Sequence, residues 1–350
     1  MLDELLRDAV ARNGSDLHLA DGLPPRVRVH GELEAAGPAP LDVAALVGGL
    51  LDARQRALFD ADGEVDLAYA APGAGRFRVN VFRHQGGLGA VFRRIPERIP
   101  TLEELAVPAE IERFTQARHG LVLVTGPTGS GKSSTLAALL GALNARDARH
   151  VVTIEDPIEF VHADVCATFT QRELGRDAAS FADALRSAGR QDADVILVGE
   201  MRDRETIQLA LTLAEMGVVV FSTLHTNGAI RTIDRMVEVF PEEQQPYVRS
   251  MLADSLQGVL SQILCPRADG TGRVPATELL FTSTALRNVI REGATHKVDA
   301  LFQSGRAEGM HRMDDALFRL ASEGTISGDD AFLRAGDKQR FERFAPPDDR

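Results

Sequence analysis

The chain has no tryptophan and only two tyrosines in 350 residues. Aromatic platforms on which bases could stack are therefore scarce. Positive charge is also short: 39 Lys and Arg stand against 51 Asp and Glu, a net charge of −12. That balance argues against a surface that coats a polyanion, although it leaves room for a local basic path. No nucleic-acid partner is expected. Cysteine is nearly missing. Cys166 and Cys265 are the only two, and neither belongs to a C-x-x-C pair. A disulfide scaffold and a four-cysteine zinc site are thereby excluded, and reduced thiols are the expected state. No apolar run approaches the ~18 residues needed to span a bilayer. The first residues, Met1-Leu2-Asp3-Glu4-Leu5-Leu6, are acidic and amphipathic, unlike a secretory signal. The expected location is cytoplasmic, with membrane association only through a partner.

What is present is enough for a real core. The hydrophobic share is 44%, and the length allows two domains of ordinary size. Leu2, Leu5, Leu6 and Ala9 repeat at helical spacing. Leu17-His18-Leu19 and Arg26-Val27-Arg28-Val29-His30 alternate like strands. So do Gly75 to Phe82 and Gly89 to Arg93, with Gly86-Gly87 between them as a hairpin requires. Residues 1–96 thus read as a small α+β domain with an antiparallel sheet. Ile95-Pro96-Glu97-Arg98-Ile99-Pro100 carries two prolines that disfavour helix and central strand, so residues 97–103 are the expected linker. Residues 104–344 read as a second domain, and 345–350 as a disordered tail.

The second domain changes pattern. Leu121 to Val124, Val151 to Ile154, Val195 to Val198 and Val218 to Phe221 are short apolar runs with helical patterns between most of them. Buried strands alternating with helices predict a mainly parallel α/β sheet. Val248, Met251, Leu252, Leu256, Val259, Leu260 and Ile263 predict one long amphipathic helix.

Gly126-Pro127-Thr128-Gly129-Ser130-Gly131-Lys132-Ser133 satisfies G-x-x-x-x-G-K-[ST] between a strand and a leucine-patterned helix. Its glycines let backbone N–H groups turn inward around phosphates, and the helix N-terminus adds positive potential. Lys132 is expected to reach the β- and γ-phosphates of ATP. The Ser133 hydroxyl is expected to ligate Mg²⁺, and Ser134 completes the binding segment. Val195 to Val198 runs through Gly199 into Glu200, a carboxylate expected beside the phosphate-loop strand and aimed at the magnesium. Val151 to Ile154 runs into Glu155-Asp156-Pro157-Ile158-Glu159; one of these acids is a candidate base, and composition alone leaves open which. A fourth strand leads to Ser222-Thr223-Leu224-His225-Thr226, hydroxyls and an imidazole placed to sense the γ-phosphate. Taken alone, His225 reads more simply as a hydrogen-bonded structural histidine.

These four elements together resemble the secretion ATPase superfamily of type II secretion and type IV pili. Gly126 to Ser133 resembles its Walker A, and Thr153 to Phe160 its aspartate box. Asp192 to Asp203 resembles its Walker B region, and Thr223 to Asn227 its histidine box. By that resemblance Glu159 matches the catalytic glutamate and Glu200 the Walker B glutamate. Ser15 to Leu19, Gly22 to Val29 and Arg76 to Asn80 resemble the PAS-like N-terminal domain of its pilus-retraction branch. Ala285 to Glu292 is similar to a segment of the same branch. The fold implied is α/β: a RecA-like P-loop ATPase core preceded by a small α+β PAS-like domain. The activity implied is ATP hydrolysis in a homo-hexameric ring, with ATP between the two domains of a subunit. Arg78 and Arg93 match the family's N-terminal arginine pair, and Arg186 and Arg190 its core pair. The implied partners are an inner-membrane pilus platform protein and a paralogous ATPase, and the implied work is pilus retraction. An assembly or secretion ATPase of the same superfamily, an accessory paralogue and a nucleic-acid translocase are the alternatives. Three departures from the family pattern stand out. Val218 replaces a second histidine, Gly189 to Asp194 departs from the usual Walker B approach, and His162 to Ala167 is not typical.

Overall fold

The computed structural model describes residues 1–29, 31–37, 39–96 and 98–346. His30 and Glu97, named above in a strand and the linker, and residues 347–350 of the tail lie outside the described residues. The chain folds into two compact units. One holds Met1–Arg98 and Pro157–Val161; the other holds Ile99–Asp156 and His162–Arg350. No helix among the described residues is long and apolar enough to cross a membrane.

The N-terminal unit is built on six strands. They are β1 (Asp16–Ala20), β2 (Arg26–Val29), β3 (Glu32–Ala35), β4 (Glu64–Ala71), β5 (Gly75–His84) and β6 (Gly87–Ile95). Their order is β3-β2-β1-β6-β5-β4, and every pairing is antiparallel. Side chains alternate between the two faces. Leu17, Leu19, Val27, Phe77, Val79, Val81, Ala90 and Phe92 share one buried face. It packs with α1 (Leu2–Ala11), α2 (Val43–Val47) and α3 (Ala53–Asp62) through Leu6, Val43, Val47 and Phe59. One-sided burial is why the period-two pattern is readable here. The other face is polar and carries Asp16, His18, Arg76, Arg78 and Arg93. The two-residue link Gln85-Gly86 joins β5 to β6, with His84 paired to Gly87.

The larger unit has seven strands: β7 (Gly120–Thr125), β8 (His150–Glu155), β9 (Thr168–Glu173), β10 (Val195–Val198), β11 (Val219–Leu224), β12 (Leu256–Pro266) and β13 (Arg273–Phe281). Their order is β13-β12-β7-β11-β10-β8-β9. All neighbours pair in parallel except β12 with β13. Helices α4 (Lys132–Asn144), α5 (Phe181–Ala188), α6 (Arg204–Glu215), α7 (Ala229–Glu238) and α8 (Gln245–Ser255) cover the sheet, followed by α9 (Thr284–Glu292), α10 (Val298–Ser304), α11 (Met313–Ser322) and α12 (Gly328–Arg334). Residues 121–124, 195–198 and 219–224 are buried along their whole length, so these strands read as apolar runs rather than as alternations.

Two sequence expectations are corrected. The strand before Glu200 is not beside the phosphate-loop strand: β11 lies between β7 and β10. The long helix from Val248 to Ile263 does not exist as one element. Helix α8 stops at Ser255, whose hydroxyl donates back to the Met251 carbonyl at 2.7 Å, and Leu256 turns to extended geometry. The remainder is β12, paired at its edges with β7 and β13; Gly258 to Gln262 are buried one after another, so both faces are covered there and the apolar residues show no strand alternation. Gly258 marks the change. A Cβ there would lie 2.6 Å from both the Leu280 carbonyl oxygen and the Phe114 ring.

His162, in the atypical segment, is buried and stacks on Phe169 with ring centroids 4.4 Å apart. Its Nδ1 has no partner among the described residues. Burial pushes its pKa from 6.5 down to about 4. The unfolded chain then binds a proton that the folded chain refuses, so stability falls as pH drops through 6.5 toward 4.

Two outcomes are expected. Gly258→Val lowers the stability of the larger unit by about 1–3 kcal/mol in urea denaturation, because the strand has no room to yield; an unchanged midpoint would contradict the close packing. Between pH 7 and pH 5 the parent loses about 2 kcal/mol through His162, and His162→Phe lacks that component when the two denaturation curves are compared.

Candidate functional site

At the end of β7 the chain enters the glycine-rich loop. Gly126, Gly129 and Gly131 all take positive φ, at 139°, 78° and 88°. At Gly126 a Cβ would fall 2.1 Å from the Gln262 carbonyl oxygen, so the loop presses on β12 too closely for any side chain. Helix α4 then begins at Lys132 with Gly131 as its N-cap and no side-chain cap. Its first-turn N–H groups and the positive end of its dipole are left for an anion. Lys132 is buried, and its Nζ donates to the carbonyls of Gly126 at 2.9 Å and Pro127 at 3.0 Å. The ammonium is thus folded over the loop that it would share with a phosphate. Pro127, Thr128 and Gly129 are exposed, whereas Ser130 is buried with its hydroxyl unpartnered among the described residues. Ser133 is exposed. Ser134 lines a cavity of about 400 Å³ with Gly131, Thr135, Leu264 and Arg273.

The parallel sheet sends the other candidates to the same edge. His225 follows β11, which neighbours β7, and Glu200 follows β10 on the far side of β11. Ligands of open α/β sheets bind outside the carboxyl ends of the strands, where these residues stand. Glu200 Oε2 lies 3.3 Å from His225 Nε2 and 2.8 Å from Arg202 Nε. His225 is therefore in direct contact with the acid. The neighbouring hydroxyls serve differently from the sensing role expected of them. Ser222 Oγ donates to the Val198 carbonyl at 2.9 Å, and Thr223 Oγ1 to the Gly199 carbonyl at 2.6 Å. They fasten β11 to the end of β10 and so fix where Glu200 begins. Thr226 Oγ1 pairs with Thr232 Oγ1 at 2.7 Å on α7.

In the aspartate-box segment, Glu155 Oε1 accepts from the Thr153 hydroxyl at 2.8 Å and from Gln171 Nε2 at 3.3 Å. That carboxylate is committed to its own strand and to β9. Glu159 belongs to Pro157–Val161, which groups with the N-terminal unit; within that unit Arg76 Nη2 donates to the Ile158 carbonyl at 3.0 Å.

Arg78 and Arg93 are register partners on β5 and β6. Like charges directly opposite repel, and each arginine has an acid. Arg93 Nε bonds Asp16 Oδ1 at 2.8 Å, and Arg78 lies 3.8 Å from Asp66. Burial alone would raise the Asp16 carboxyl, but hydrogen bonds from Arg93 and Ser15, with the Arg93 charge, bring it below its usual value. Arg186, in the last turn of α5, pairs with Asp183 and Glu205. Arg190 lies just beyond that helix and is exposed. Val218, in place of a histidine, is half-buried against the core, and its carbonyl accepts from Gly120 N at 3.0 Å.

No group of three or more His, Cys, Asp or Glu suited to a metal occurs among the described residues. The Ser133 hydroxyl and the Glu200 carboxylate are hard oxygen donors. They suit a cation such as Mg²⁺, which takes few protein ligands and keeps phosphate oxygens and waters. Sequence reasoning missed Arg202 and Gln262. Gln262 left a signal: a polar residue amid the apolar run Val259-Leu260-Ser261-Gln262-Ile263-Leu264 needs buried partners.

A phosphate loop at the end of one central parallel strand, with an acid and an imidazole in contact at the same edge, defines a P-loop nucleoside-triphosphate-binding protein of RecA-like architecture. The family described as type II/IV secretion system protein matches residues 1–315, and the chain belongs to that family. It is similar to the type IV pilus retractation ATPase PilT of Pseudomonas aeruginosa, at 48% identity over 97% of this chain and 99% of that one. It is also similar to a twitching motility protein of Neisseria gonorrhoeae, at 46% identity over 89% of this chain and 84% of the relative. Among solved structures, the pilus retraction motor PilT with bound ADP superposes with a TM-score of 0.90 and 42% identity, covering 98% of this chain and 99% of that one.

Substitution separates binding from chemistry at this site. Lys132→Ala is expected to lower ATP turnover by about 10²-fold or more, because it removes the one lysine of the loop. Glu200→Gln is expected to keep ATP affinity and lose about 10²-fold in kcat. Turnover measured beside nucleotide titration checks both, and a normal rate in Glu200→Gln would assign the acid's role elsewhere.

Proposed function

We propose that this chain is an ATP-hydrolysing motor that works in a homo-hexameric ring to retract type IV pili. The observation that carries the reading is the contact of His225 with Glu200 at the sheet edge that holds the phosphate loop, in a chain nearly co-extensive with a retraction ATPase. The triphosphate lies along Gly126–Ser134, and Lys132 exchanges the carbonyls of Gly126 and Pro127 for phosphate oxygens. The nucleoside end occupies the cavity beside Ser134. Ser133 and Glu200 would hold Mg²⁺, which would supply positive charge against the phosphate oxygens. Glu159 serves as base or orienting group for the attacking water. His225, held against Glu200, reports the γ-phosphate to the turn that opens α7. Arg78, Arg93, Arg186 and Arg190 supply positive charge as phosphoryl transfer proceeds. Occupancy that favours a closed arrangement turns binding into motion, and product release reverses it.

The chain acts from the cytoplasmic side through an inner-membrane platform protein, and a paralogous ATPase is a further partner. Net charge of −12 and the absence of tryptophan speak against a nucleic-acid translocase. Deletion in the source organism followed by pilus imaging tests the direction of work. Surplus surface pili with lost twitching are expected. Loss of pili would instead assign the chain to assembly, and unaltered pili would remove it from the pilus machine.

A further inference from the structure

One buried side chain outside the recognised motifs grips the phosphate loop from the next strand. Gln262 lies on β12 and is 1% exposed. Both ends of its amide are engaged. Nε2 donates to the Ser130 carbonyl at 2.6 Å, and Oε1 accepts from the Thr135 hydroxyl at 3.0 Å. The orientation is fixed by this chemistry. A flipped amide would set its oxygen against the Ser130 carbonyl, two acceptors face to face. The same residue also abuts the loop's start: a Cβ at Gly126 would lie 2.1 Å from its carbonyl oxygen, and one at Gly131 would lie 3.1 Å from Nε2. Gln262 therefore touches the loop at its first glycine and last turn, and touches α4 at Thr135.

The consequence follows from peptide geometry. In a trans peptide the C=O and N–H point in opposite directions. Holding the Ser130 carbonyl toward β12 turns the Gly131 N–H away from β12. A loop with glycines at positive φ has many other conformations open to it, and each must be given up when phosphate binds. We propose that Gln262 is a positioning residue for phosphate binding, locking the Ser130–Gly131 peptide so that the loop's N–H groups are aimed before nucleotide arrives. This deepens the reading of the loop as the ATP site and rests on it. Gln262 also lines the cavity beside Ser134; in this scheme it holds the loop and takes no part in phosphoryl transfer, so its loss acts on affinity rather than on the chemical step.

The test compares Gln262→Glu, Gln262→Met, Thr135→Val and Thr135→Ser with the parent. ADP and ATP dissociation constants are measured by calorimetry, with kcat, KM and the melting temperature of nucleotide-free protein. An ionised glutamate keeps the acceptor for Thr135 but cannot donate to Ser130. Gln262→Glu is expected to raise both dissociation constants and KM about tenfold, with kcat at saturation within about twofold. Thr135→Val is expected to lose about threefold, while Thr135→Ser, which keeps the hydroxyl, matches the parent. If Gln262→Met fails to fold, Gln262→Glu and the Thr135 pair still decide. Parental ADP affinity in Gln262→Glu would overturn the proposal, as would a fall in kcat with KM unchanged. Failure of the parent itself to bind ADP would overturn the nucleotide reading, a separate result.

Discussion

The first N–H groups of an α-helix have no intrahelical acceptor, and α4 begins with no side-chain cap to take their place. An uncapped helix start beside three glycines at positive φ is a costly local arrangement unless an anion completes it. The surroundings hold it open. Lys132 folds onto the loop's own carbonyls, and β12 presses on Gly126 so closely that the loop cannot relax toward the sheet. The buried strands β7, β11 and β12 supply a rigid floor on which this loop stands.

The strand order then decides which chemistry reaches that loop. Because β11 separates β7 from β10, His225 lies between the phosphate loop and Glu200 in the order of the sheet. The hydroxyls of Ser222 and Thr223, spent on the carbonyls of Val198 and Gly199, tie the two strand ends together. Glu200 and His225 are held in register by backbone contacts rather than by their own flexible side chains.

In the N-terminal unit the same economy appears in a different sheet. The face opposite the helices carries Arg78 and Arg93 as direct cross-strand neighbours, each restrained by an acid of its own. Two guanidinium groups side by side are unfavourable on an ordinary surface. Here Asp66 and Asp16 offset them.

Much of this was legible in the chain. The phosphate loop declared itself by glycine spacing, a lysine and a hydroxyl, because those residue types are required by backbone geometry and charge rather than by context. The alternating strands around Leu17 and Phe77 were legible because only one face of their sheet is buried. The stretch from Val248 to Ile263 was not. A strand covered on both faces and a buried helix both appear as apolar runs, and only the pairing of β12 with β7 and β13 separates them. Glu200 could be named from the sequence, but its contact with His225 could not: the two meet only because β10 and β11 are parallel partners. Gln262, 132 residues from Ser130, is the extreme case. The sequence by itself determined the glycine-rich loop at Gly126–Ser133 and the helix that follows it, since local residue types dictate that loop. The tertiary structure decided what holds the loop in shape and which acid and imidazole stand at its edge, since those depend on strand order, which no local pattern encodes.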